Sequence, residues 1–176
     1  MSWALVSTAA AGLNAGAGLL CLLTDRSPSP DTEPDLQESF WKVNSSLAGS
    51  KVALSSMFGA AASAAALAAY VSGGDAADPG WISCAVISGI IPLYNTLIVG
   101  PTASVVQNEV MQAVSKHDKN MWLSSFRWKS TISTGFAVVA YVCTLLMMNE
   151  GSGGGGLGSG GGGGGDSRTA NPFRFW

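Results

Sequence analysis

Residues 52 to 74 read VALSSMFGAAASAAALAAYVSGG, a run without a single Asp, Glu, Lys, Arg or His. A helix rises about 1.5 Å per residue and satisfies its own backbone hydrogen bonds, so about 20 such residues cross a bilayer core of about 30 Å. The centre of the run, GAAASAAALAAY, is almost entirely small residues. Such a helix is weakly hydrophobic for a solitary span but suits the middle of a bundle, where small side chains let neighbouring backbones approach.

Three further windows share this freedom from charge: residues 1 to 24, 79 to 108 and 130 to 149. Of 176 residues, 47% are hydrophobic and 11% charged, against about a quarter charged in an ordinary soluble domain. So little polar remainder cannot wrap four apolar helices in water. The expectation is an all-α fold, a four-helix transmembrane bundle over residues 1 to 149. Its helices lie near 3–23, 52–71, 81–100 and 124–148, followed by a disordered, flexible Gly-rich tail over 150–176. The first window has no Lys or Arg before Arg26. It therefore lacks the basic start of a secretory signal and reads as a retained span.

Within helix one, Gly12 and Gly16 give GxxxG spacing, a pattern that favours close helix packing. Residues 25 to 51 read as a polar loop, acidic and proline-rich at first, whose FWKVNSSLAGSK part would lie along the interface. Pro92 falls inside helix three and predicts a kink, because proline removes a donor and clashes with the preceding turn. Beyond Pro101, the spacing of Val105, Val106, Val110 and Val114 predicts a polar-faced helical extension. Arg127 and Lys129 at the start of helix four are placed to snorkel. Beyond Glu150 the glycine run has no side chains to bury and reads as a linker.

The two longer loops hold Arg26, Lys42, Lys51, Lys116, Lys119, Arg127 and Lys129, so the positive-inside rule places them in the cytoplasm, with both termini lumenal or extracellular. Trp3 and Trp81 at one side and Trp41, Trp122 and Trp128 at the other match an aromatic belt. A net charge of −2 and no basic stripe argue against nucleic acid. Cys21, Cys84 and Cys143 sit in separate windows at no metal-ligand spacing, so they read as small buried hydrophobes rather than a disulfide framework or metal site. Asn14 and Asn95 are the notable polar groups inside the spans. A buried amide costs free energy unless paired, so each is expected to bond another helix or a ligand. Ser130, Thr131, Ser133 and Thr134 can satisfy their hydroxyls on their own helix.

The order of AGLNAGAGLLCLLT, a proline-bearing loop leading to FW, a small-residue helix, IIPLYNTLIVGPT and an RW before helix four resembles the anthrone-oxygenase-like family of four-span membrane proteins. The resemblance covers roughly residues 5 to 148 and is best over Ile91 to Thr102. It implies a small membrane oxygenase that oxidises lipophilic aromatic polyketides, anthrone to anthraquinone, with oxygen and no cofactor. Where that family follows Pro-Thr with two asparagines, this chain has Ala103 and Ser104, and Ile132 and Gly135 replace polar groups of helix four. Such chemistry needs a base near an acidic carbon-bound proton. The candidates are Glu109, at the exit of helix three, and His117, the sole histidine. Asn14, Asn95, Thr102, Gln107 and Asn108 are candidate substrate-binding residues. Two other functions fit the same pattern: a non-catalytic scaffold or assembly protein bound to a partner membrane protein, and a passive carrier of a lipid or other hydrophobe.

Overall fold

A computed structural model describes residues 2–24, 33–74, 78–112 and 115–153. All the regular structure among them is helical: α1 (Trp3–Thr24), α2 (Pro34–Ser72), α3 (Gly80–Tyr94), a π-helical segment (Asn95–Val99), α4 (Gly100–Gln112) and α5 (Lys116–Gly153). The third column of the bundle is α3, the π segment and α4 run together. The four columns are each long and apolar enough to cross a membrane. Around the bundle, α1 touches α2 and α5, and α2 touches α3 and α4, which in turn touch α5.

Three layers show that the columns alternate in direction. At one end Ala66, Trp81, Cys84 and Ala85 pack with Ala4, Cys143 and Met147. In the middle lie Ala15, Ile91, Ala137 and Ala140. At the other end Trp41 and Ala48 of α2 meet Val99, Ala103, Val106 and Phe126.

The sorting of side chains is the reverse of a water-soluble bundle. Buried positions are mostly small, among them Ala11, Ala48, Ala62, Ala66, Ala137, Ala140, Ser7 and Ser88, while Leu13, Leu20, Leu23, Val86, Leu93 and Leu97 stand outside. Apolar surface on that scale is not left to water. Lipid removes the penalty, and close van der Waals packing then holds the helices together.

Several boundaries differ from the sequence reading. Residues 34–51, expected as a loop, form the first half of a 39-residue α2, which at about 1.5 Å per residue is about 58 Å long and outreaches the hydrocarbon. Pro34 at the first turn and Asp35 beside the positive end of the helix suit a helix start. Trp41, Ser45 and Ala48 are buried. The Trp41 indole donates to Asn120 Oδ1 at 3.1 Å and receives the Lys119 ammonium 5.0 Å from its ring. Trp41 and Trp81 are therefore packing residues, whereas Trp3 and Trp128 stand exposed as belt residues would. Helix five begins at Lys116 rather than Ser124 and continues through residues 150–153; the rest of the expected tail, 154–176, lies outside the described residues.

The GxxxG pair does not act as a pair. A Cβ on Gly16 would meet nothing within 4 Å, whereas one on Gly18 would lie 2.7 Å from Thr134 Oγ1. The stripe that packs is instead Ser7, Ala11, Asn14, Ala15 and Gly18. Thermal unfolding in detergent should separate the two glycines. Gly16→Ala stabilises by about 0.5–1 kcal/mol through its helix preference, and Gly18→Ala destabilises by about 1–3 kcal/mol through overpacking. Equal effects would contradict this packing.

Candidate functional site

Several polar side chains at the contacts between helices are spent on neighbouring backbones. Ser7 Oγ donates to Ala62 O at 2.9 Å, Ser63 Oγ to Ala85 O at 2.8 Å, and Asn14 Nδ2 to Ser55 O at 3.2 Å. These tie α1 to α2 and α2 to α3. Another link joins two side chains, Ser133 Oγ donating 2.7 Å to the Asn95 side-chain oxygen and tying α5 to the π segment. Ser133 therefore does not satisfy itself on its own helix as expected, although Thr131 and Thr134 do, on Arg127 O and Ser130 O.

Asn95 opens the π segment three residues after Pro92. Proline has no N–H to give, so the regular ladder already lacks one rung there. The Asn95 N–H reaches Ile91 O and Pro92 O, and the Gly100 N–H reaches back five residues to Asn95 O. The α-helix continues through Pro92, and one wide turn follows it. Such turns recur at functional sites.

Between α1, α2, the π segment and α5 lies a cavity of about 100 Å³. Its walls include Ala17, Gly18, Val52, Leu54, Phe58 and Val99, and its polar lining is Asn14, Cys21, Lys51, Ser55, Asn95, Ser130, Ser133 and Thr134. Mostly apolar walls with a few converging polar groups are the usual form of a small-molecule site. Lys51 belongs to the polar end of α2 and donates to Asn44 Oδ1 at 3.4 Å.

Of the candidates read from sequence, this cavity unites Asn14 and Asn95. Thr102 is buried elsewhere, receiving a hydrogen bond from Lys129 Nζ at 2.6 Å and giving one to Ile98 O at 3.2 Å. Lys129 therefore turns inward to Thr102 rather than only outward to an interface. Gln107 is exposed and reaches Ser46 O at 3.4 Å. Asn108, Glu109 and His117 are exposed and absent from the cavity lining. Ala103 is buried in the Trp41 layer, while Ile132 and Gly135 face outward. The spacing of Asn14, Gly18 and Cys21, and of Ser130, Ser133 and Thr134, places each set on one helix face, a signal that helical periodicity alone could have supplied. Among the described residues no three His, Cys, Asp or Glu side chains gather as a metal site. No family model, curated protein or solved structure matches this chain.

A double-mutant cycle on Asn95→Ala and Ser133→Ala in detergent unfolding should give a coupling of about 0.6–1.7 kcal/mol, the range for interhelical hydrogen bonds in membrane proteins. Strict additivity would mean that the pair does not interact.

Proposed function

We propose that this is a polytopic membrane protein that binds a small lipophilic molecule between its helices. The observation that carries the proposal is the cavity in which Asn14, Asn95 and Ser133 converge among apolar walls. The outward large side chains, Leu13, Leu20, Leu93 and Leu97 among them, support insertion in lipid. The lysine distribution supports a cytoplasmic side for the end that carries Lys42, Lys51 and Lys129.

The sequence resemblance supports an aromatic ligand and, with it, oxygen-dependent conversion of anthrone to anthraquinone. In that reaction the methylene carbon loses two hydrogens and gains one oxygen, and the second oxygen atom leaves as water. A base must take the first proton at the reacting carbon. Glu109 and His117 are exposed elsewhere, and the cavity's ionisable lining groups are Lys51 and Cys21. A cavity of about 100 Å³ is also smaller than the engineered one of about 150 Å³ that takes benzene. A three-ring substrate would have to part the helices, so binding is better supported than oxidation.

A second reading, a scaffold for a partner membrane protein, is favoured by a separate observation. The helix ends around Trp41, Val106 and Phe126 form a packed layer beyond what a bilayer crossing requires, with Glu38, Lys42, Asn108 and Glu109 exposed on it.

Purified protein in detergent is expected to bind a one-ring aromatic probe saturably. Ala17→Phe, which places a ring in the cavity, is expected to weaken that binding at least about tenfold, consistent with the cost of overfilling a packed site. Binding unaffected by Ala17→Phe would remove the cavity from the proposal. Anthrone under air is expected to be consumed no faster than in detergent alone, and faster consumption would assign the oxygenase activity instead.

A further inference from the structure

Two buried side-chain polar atoms among the described residues have no hydrogen-bond partner, Ser88 Oγ and Asn95 Nδ2. Ser88 does not line the cavity, and Asn95 does. The Asn95 side chain is 1% exposed, and its oxygen is occupied by Ser133. Its two amide hydrogens therefore remain without an acceptor in an apolar wall, where a missing hydrogen bond is far more costly than in water. A molecule in the cavity that brings an acceptor oxygen to this wall recovers that bond.

Three of the acceptors around it already receive one bond each. Asn95 Oδ1 receives Ser133, Ser55 O receives Asn14, and Ser130 O receives Thr134. A ligand hydroxyl adds a proton that must itself find an acceptor, whereas a carbonyl adds only the acceptor that Asn95 Nδ2 lacks. Charged ligands would have to shed their hydration to reach Asn95. At about 100 Å³ the cavity takes a slim chain as it stands and a single ring with a small parting of its walls.

We infer that the cavity beside Asn95 is a site for a slim, uncharged lipophilic carbonyl compound, a ketone, aldehyde or ester, whose oxygen accepts from Asn95 Nδ2. The inference rests on the ligand-binding reading above and adds the group that the site selects. Ser133 is the positioning residue, because its hydroxyl holds the amide oxygen and leaves the nitrogen as the end of the amide without a partner.

The test uses the full chain in detergent, with acetophenone as the carbonyl probe and isopropylbenzene as its hydrocarbon counterpart, each corrected for partition into empty micelles. Acetophenone is expected to bind about tenfold more tightly, as one recovered hydrogen bond implies. Its carbonyl stretch, followed with a carbon-13 label, is expected to move to lower wavenumber on binding. Asn95→Leu is expected to abolish both the preference and the band shift while isopropylbenzene still binds. If that variant fails to fold, the band in the unaltered protein decides alone, and an unshifted band overturns the inference. Equal binding of the two probes, or tighter binding of the matched alcohol 2-phenylpropan-2-ol, overturns the carbonyl selectivity but leaves the cavity reading standing. Binding of none of the three overturns both.

Discussion

Helix backbones can lie against one another in this protein because the residues between them have almost no side chain. Apolar side chains gain little by leaving lipid for one another, so helices without that drive associate through close packing and interhelical hydrogen bonds. Ala62, Ala65 and Ala66 of α2 and Ala11 and Ala15 of α1 meet this requirement. The same closeness brings each backbone within reach of a neighbour's hydroxyl or amide. Ser7 on Ala62 O and Ser63 on Ala85 O are consequences of the alanine pattern as much as additions to it. The cavity lies beside Ala17 and Gly18, where α1 has almost no side chain to fill the space left against Leu54 and Phe58 of α2.

That constraint explains which parts of the architecture were legible. Absence of charge over about 20 residues is a one-dimensional property, and it located all four columns. It was blind to their ends. Once α2 leaves the hydrocarbon, charges such as Lys42 and Lys51 no longer argue against helix, and what holds residues 34–51 is tertiary packing of Trp41 and Ala48 on α4 and α5. The glycine spacing misled for a related reason. GxxxG specifies a face but not whether that face is the one covered, and on α1 the covered face passes through Gly18 and leaves Gly16 open.

The site was legible only where a polar residue was out of place. Asn14 and Asn95 stood out because an amide inside an apolar span needs a partner. Ser133 did not, since a helical serine can always turn to its own backbone, and only the proximity of Asn95 gives it another choice. Glu109 was attractive by residue type and by its place at the exit of helix three, and His117 by residue type alone. Their type suits proton transfer, but both are solvent-exposed and outside the cavity lining.

The π segment reconciles the two halves of the third column. Ile91, Asn95, Val99 and Ala103 are all buried, at 1–2% exposure, and each is four residues beyond the last. With 3.6 residues per turn, a four-residue step overshoots a full turn by about 40°, so three successive steps would carry Ala103 about 120° off the face that Ile91 occupies. A strict α-helix would spread the four over about a third of its circumference. A turn with five-residue reach, from Gly100 N–H to Asn95 O, takes up that drift. It begins one turn beyond Pro92, and the Asn95 amide that opens it is buried in contact with Ser133. The feature that lets α3 and α4 share one buried face is thus the same one that sets a polar group into the cavity wall.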